Sequence, residues 1–289
     1  MTTLAERNAS TPTADPAVPA ARKLPRGNIT QWGAVSILAV VALWVVVPSL
    51  FTDHDPIVGD GSRRFLPPSS ENWFGTDFLG RDVYARVVFG TVHTLQGAAV
   101  AIAIGLVIGA LLGVIAASAP GPVEVVILRL VDVLLAIPGL LLALCIVATI
   151  GPSPTAVSIG IGISAIAPFA RLTRSEALRV RTSEFVEAAH ISGAGFWSSL
   201  FKHVLPNSAG PVLSLVAVEF GAAILSIAAL GFLGYGTIPP TPEWGALVAE
   251  GRTYLATAWW LTTLPGVVVI VVVLAFNRVS RSLLTLGRL

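Results

Sequence analysis

The residues of this sequence that could do chemistry are few, and three of them sit where charge is expensive. Arg129, Asp132 and Glu219 are set within or beside long apolar runs. An ionised group in such surroundings pairs with an opposite charge, faces the interior of a helical bundle, or lines a water-filled path. Arg129 and Asp132 are three residues apart, so on a helix they can pair with each other. Asp132 can equally line a cavity. Glu219 has no local charged partner and suits either a hydrogen bond between helices or a cavity wall. No periodic series of carboxylates suggests a proton-driven carrier. The four histidines, His54, His93, His190 and His203, show no metal-ligand spacing with cysteine or carboxylate. There is no GxxxxGK[ST] loop and no dinucleotide fingerprint. No catalytic residue and no metal site is therefore assigned.

The most informative polar stretch is residues 187–207, EAAHISGAGFWSSLFKHVLPN, which lies between two apolar blocks. Glu187, Ala188, Ala189 and His190 suit a helix. Gly193 and Gly195 interrupt it. Phe196, Trp197, Leu200 and Phe201 then recur at spacings of three to four, an amphipathic pattern, and Pro206 is expected to close it. A helix, a glycine break, an apolar patch and a proline make a compact docking surface. His190, Phe196 and Trp197 are candidates for its docking face. A helix lying at a bilayer interface would have the same outline.

The elements that position these residues are apolar spans. Hydrophobic residues make up 54% of the 289 positions and charged residues only 12%, where a soluble domain carries about a quarter charged. This is the composition of an all-α, polytopic membrane protein. The net charge of +2 gives no support to nucleic-acid binding. The single cysteine, Cys145, lies in an apolar run; it is expected to be buried and inert, and no disulfide can form within the chain. A hydrocarbon crossing needs about 20 apolar residues. Six stretches come close: 32–51, 95–117, 125–148, 156–172, 211–233 and 261–276, of which the fourth and sixth are short unless they extend into adjacent polar residues.

The first 31 residues are polar and read as a disordered tail that precedes a retained anchor, not as a cleaved signal. The organisation expected is a cytoplasmic tail over 1–31, a first span over 32–51, an extracytoplasmic loop over 52–94 and a core of five spans over 95–282. A short tail over 283–289 follows. The core includes a cytoplasmic loop over 176–207 and an outer loop over 234–260. Basic residues set the orientation. Arg22, Lys23 and Arg26, then Arg171, Arg174, Arg179, Arg181 and Lys202, then Arg278, Arg281 and Arg288 all fall on one side if the number of spans is even. That side is the cytoplasm, and both termini lie there.

Gly105, Gly109 and Gly113 form a small-residue stripe on which another helix can pack closely. Gly160, Ser164 and Pro168 extend the pattern in the fourth span. In the first outer loop, 72–77 reads as a turn and 81–89 as an amphipathic helix on the membrane surface. Trp73, Phe74 and Phe78 suit an interface. In the second, Pro239, Pro240 and Pro242 stiffen a loop that shapes a gate, docks a partner or caps the bundle.

Three separated motifs carry a resemblance. Glu187, Ala188, Ala189, Gly193, Leu205 and Pro206 resemble the EAA motif of the membrane subunits of bacterial ABC importers, with Val204 where isoleucine is common. FGTDFLGRDVYARVVFG, residues 74–90, resembles a region of the dipeptide, oligopeptide and nickel permeases. GFLGYGTIPPTPEWGALVAEGR, residues 231–252, is similar to a loop of their C-type subunit. The resemblance runs from Asn72 to the C-terminus; the long N-terminal tail departs from it, lacking the dense arginine cluster often found before the first span.

The resemblance implies a type I importer permease fold with about six transmembrane helices. It implies a permease subunit of a binding-protein-dependent importer of di- or oligopeptides in the bacterial inner membrane, forming half of the pore. The partners implied are a homologous second permease in a heterodimer, two cytoplasmic ATPase subunits or one fused ATPase, and an extracytoplasmic solute-binding protein. ATP and magnesium would be used by the ATPase subunits, with no cofactor on this chain. Glu187, Ala188, Ala189, Gly193, Leu205 and Pro206 would couple to the ATPase. Phe196 and Trp197 are not fixed by the motif; their apolar character places them on the apolar side of the element, anchoring it against ATPase or core. Asp132 and Glu219 are the candidate cavity-lining residues. Nickel or another small solute is the alternative cargo, and a stand-alone ion-coupled transporter the alternative mechanism.

Overall fold

The structure, a computed structural model, describes residues 27–286. The tail expected over 1–31 falls largely outside the described residues, as do residues 287–289 of the expected C-terminal tail. The described residues are mainly helical, with long loops over 47–82 and 233–243 and one isolated bridge, Thr76 to Asp82. Among the described residues, five helices are long and apolar enough to cross a membrane, and a sharply bent pair can supply a sixth crossing.

Helix α1 spans Gly27–Val46. It stops short of the expected residue 51 because Pro48 follows and opens a short 3₁₀ turn. Helix α2, Val83–Ser118, has 36 residues and a length of about 54 Å. The Asp82 carboxylate caps it, accepting from the Ala85 N–H at 2.6 Å. Here the structure corrects the sequence reading. Residues 81–89 are not a separate surface helix; from Val83 onward they are the first turns of α2. Val83, Val87 and Val88 are buried at 3%, 0% and 0% exposure because this end of α2 is covered by folded loops.

The expected third span is broken. Helices α3, Pro122–Ala136, and α4, Gly139–Ile150, meet at an angle of 92°. Pro138 lacks an N–H and forces Ile137 into extended geometry, φ −96° and ψ 127°. Helix α5, Pro154–Arg181, is capped by Ser153 and ends with Arg179 and Arg181 in its last turn. The Arg181 guanidinium donates to the Ala117 carbonyl at 2.8 Å, satisfying an end of α2 as well.

The glycine stripe explains why α2 and α5 lie so close. A Cβ at Gly105 would sit 2.6 Å from the Ala165 Cβ, at Gly109 2.5 Å from the Ile166 carbonyl oxygen, and at Gly113 2.6 Å from the Ala170 carbonyl oxygen. Backbone meets backbone, as small-residue helix interfaces in membranes allow.

Helices α6, Glu184–Ile191, and α7, Phe196–Ser199, precede a π-helical turn, Leu200–Val204, which runs into α8, Leu205–Phe232. Pro206 therefore does not end the pattern. The wide π turn accommodates the missing N–H and the ring, and the chain stays helical across it. Helix α9, Trp244–Gly251, and helix α10, Trp260–Leu286, complete the fold. One apolar core runs between α2, α5, α8 and α10; a second, at the opposite end from the long loops, gathers around Val186, Leu200 and Val204. Cys145 is exposed on α4, contrary to expectation. An apolar run in a membrane helix faces lipid or a neighbouring subunit as readily as it faces a core.

Candidate functional site

The polar island of the sequence builds a defined element at the α6 end. Glu184 and Glu187 occupy the first turn of α6, where the helix dipole favours negative charge. Gly193 ends the helix with φ +89°, and the Ala194 N–H donates back to the Ala189 carbonyl at 2.9 Å. That is a Schellman closure, and the left-handed residue in it is the reason for glycine. Open space surrounds the position, so conformation and not crowding selects the residue.

Glu187 and Ala188 are exposed, Ala189 is half-buried, Gly193 is exposed, Leu205 is half-buried and Pro206 is exposed. The six residues thus lie on or beside one short helix–turn–helix, most of them open to contact. The side chains of His190 and Phe196 lie outside the described set. Trp197 is 67% exposed and stacks on Phe201 with ring centroids 6.0 Å apart. Both rings line an apolar groove of about 690 Å³ against α2, together with Leu111 and Val114. What holds α6 to the bundle is Val186, fully buried against Val180, Leu200 and Val204. Sequence reasoning passed over Val186; its signal was a lone valine one residue before the EAA triplet.

Two cavities line the face shared by α3, α5 and α8. The first, about 350 Å³, opens at the α3–α4 break and is walled by Ile137, Pro138, Ser164, Pro168, Glu219 and Ser226. Among the described residues the Glu219 carboxylate has no hydrogen-bond partner. The second, about 660 Å³, lies toward the α6 end and is walled by Asp132, Pro168, Arg171, Arg174 and Leu215. Pro168 borders both. Asp132 does not pair with Arg129: its carboxylate accepts from Arg171 of α5 at 2.7 Å. Arg174 pairs with Glu124 of α3. Helix α3 is therefore tied to α5 by two ion pairs.

At the other end the long loops close over the bundle through a buried ion cluster. Arg86 donates to both oxygens of Glu250 at 3.1 Å. Arg81 donates to Asp77 at 2.6 Å and to Glu250 at 3.3 Å. Asn72, the first residue of the expected turn region 72–77, is buried and donates to Asp82 at 2.7 Å. Phe74 packs into the core, Phe78 stacks on Tyr254, and only Trp73 of the three expected interface aromatics is well exposed.

Beside this cluster the segment 242–245 plugs the bundle. The Trp244 ring is fully buried and donates to the Val87 carbonyl at 3.0 Å. Glu243 is 2% exposed, with its carboxylate packed on Gly231 and accepting from the Gly245 N–H at 3.2 Å. Burial pushes its carboxyl up from 4.5 to about 7, against a lowering by the Gly245 and Thr237 N–H groups.

Comparison with known proteins gives this geometry a place. Residues 109–285 match the model of the family described as binding-protein-dependent transport system inner membrane component. The chain is 38% identical over 249 residues to a protein of Escherichia coli K12 named probable D,D-dipeptide transport system permease protein DdpC, covering 86% of this chain and 83% of that one. It is 37% identical over 262 residues to the dipeptide transport system permease protein DppC of Alkalihalophilus pseudofirmus, covering 91% and 86%. In fold it is similar to a chain of a crystal structure of an amino acid ABC transporter, with TM-score 0.56, 18% identity and coverage of 71% and 94%. A chain of the inward-facing MetNI methionine ABC transporter gives TM-score 0.55 at 20% identity, covering 68% and 96%. Sequence and fold agree, and the chain belongs to the family of binding-protein-dependent transport system inner membrane components.

Proposed function

We propose that this chain is one of two permease subunits of an ATP-driven importer that carries di- or oligopeptides across the bacterial inner membrane. The observation that carries the reading is the near end-to-end similarity to proteins named as dipeptide permeases, at 37–38% identity. A homologous second permease completes the pore. An extracytoplasmic binding protein delivers the peptide at the loop end, and two ATPase subunits, or one fused ATPase, engage the α6 end. Arg171, Arg174, Arg179, Arg181 and Lys202 lie toward that end in the sequence, and this basic bias supports a cytoplasmic α6 end, with the termini on the same side. The chain itself catalyses nothing and binds no cofactor; ATP and magnesium act on the ATPase subunits.

Coupling runs through α6. Glu187, Ala188 and Ala189 meet the ATPase, the Gly193 turn sets the angle of the element, and Leu205 and Pro206 lead its movement into α8. Val186 makes α6 move with α5 instead of sliding over it. Closure of the ATPase pair on ATP then tilts α5 and α8 together, and the cavities between α3, α5 and α8 alternate in access. Such a switch requires contacts that differ between two states. The test is ATP-dependent uptake by the assembled complex in proteoliposomes, offered alanyl-alanine and, separately, nickel ion. Accumulation of the dipeptide supports the reading; accumulation of nickel without dipeptide replaces it.

A further inference from the structure

We propose that the Asp132–Arg171 ion pair is a recognition station for the two charged ends of a zwitterionic peptide on its way out of the pore, with Glu219 as the anionic position that precedes it. The proposal rests on the peptide-importer reading. Its basis is the arrangement of three groups along one path. The cavity at the α3–α4 break presents the Glu219 carboxylate, which has no hydrogen-bond partner among the described residues and is free to accept an ammonium. The cavity on the α6 side presents the Asp132 carboxylate and Arg171 guanidinium 2.7 Å apart. Pro168 walls both cavities, and Leu215 and Glu219, one helical turn apart on α8, line one each.

The state of the pair decides between a strut and a station. Arg171 is 57% exposed and Asp132 50% exposed. Both side chains are about half open and line the second cavity, so each partner can exchange the other for a solute charge without stranding a fully buried ion. Arg86 at the loop end is the contrast: at 1% exposure it cannot let go of its carboxylates without being left unpaired in the interior. Arg174, the other cation facing the second cavity, is held by Glu124 and is less exposed, at 28%. A short peptide offers an ammonium to Asp132 and a carboxylate to Arg171, and a guanidinium receives a carboxylate with two parallel hydrogen bonds. A hydrated divalent cation gains nothing from Arg171 and is repelled by it, so the station favours a zwitterion over a metal ion.

The test measures selectivity, not uptake alone. The full complex, with its second permease, ATPase subunits and binding protein, is reconstituted with this chain as wild type, Arg171→Gln or Asp132→Asn. Each is offered alanyl-alanine, its C-terminal amide and its N-acetyl derivative, and peptide accumulated per ATP hydrolysed is recorded. The binding protein is the same throughout, so its own preference cancels between variants. Arg171→Gln is expected to lower the preference for alanyl-alanine over its amide on the order of tenfold, the loss of one charge-assisted contact. Asp132→Asn is expected to lower the preference over the N-acetyl derivative to a similar degree. Unchanged ratios, or loss of the assembled complex in both variants, make the pair a strut and overturn the proposal. If the wild-type complex accumulates no dipeptide, the peptide reading itself fails and the station falls with it.

Discussion

Arg86 and Glu250 lie 164 residues apart in sequence, yet the guanidinium of one donates to both carboxylate oxygens of the other at 3.1 Å. The contact fastens α9 to the first turn of α2 and so joins the two long loops into one cap. Arg86 is fully buried. Glu250→Ala would leave its guanidinium with the Pro56 carbonyl at 3.3 Å and the Asp77 carboxylate 3.9 Å away. Removing one partner of a buried pair is expected to destabilise by about 3 kcal/mol. A fall in the melting temperature of the purified protein in detergent checks this, with Glu250→Gln intermediate because it keeps a hydrogen-bond acceptor.

Glu243 gives the cap a pH dependence of definite sign. Its folded pKa, about 7, lies above the 4.5 of an ordinary glutamate because burial disfavours the carboxylate. Between those values the folded protein holds a proton that the unfolded chain has released, so stability falls as pH rises from about 4.5 through 7 and then levels. The shift corresponds to roughly 3 kcal/mol. Melting curves across that range are expected to show the slope, and Glu243→Gln to remove it.

Two kinds of glycine are expected to behave differently. Gly109→Val would push a side chain into the Ile166 carbonyl and Phe169 and drive α2 from α5, a loss of about 1–3 kcal/mol. Gly193→Ala meets nothing and carries only its left-handed backbone, about 1–2 kcal/mol. Thermal melts of the two variants check the difference; the Gly193 variant is expected to fold and assemble.

Glu187→Ala is expected to leave the bundle intact, since the side chain is exposed, while lowering uptake per ATP roughly tenfold, the effect of losing about 1.4 kcal/mol of contact in one state only. Parallel measurement of ATP hydrolysis and peptide accumulation checks it.

The crossings were legible because hydropathy alone carries them, and the glycine stripe announced a close helix partner without naming α5. Other features needed the third dimension. Pro138 and Gly139 were visible in the third apolar run, but a proline in a membrane helix can bend or break it, and only packing decides. Pro206 read as a stop because a π turn has no plain sequence signature. The Arg86–Glu250 contact could not be read at all, since nothing local links residues so far apart. Cys145 is exposed where burial was expected for one reason: in an apolar environment, hydrophobicity does not say which face is inside. The EAA triplet stood out as a motif, whereas its anchor, Val186, is an ordinary valine made important by what it touches.

The most direct test of the central claim is coupled transport by the complete complex. Proteoliposomes holding both permeases and the ATPase subunits, with binding protein added outside, are given alanyl-alanine with ATP enclosed. Dipeptide accumulation that requires ATP and the binding protein, and that falls in Glu187→Ala and Gly193→Ala while ATP hydrolysis continues, is the expected result. Accumulation at the wild-type level in both assembled variants, or none in the wild type, would contradict the account.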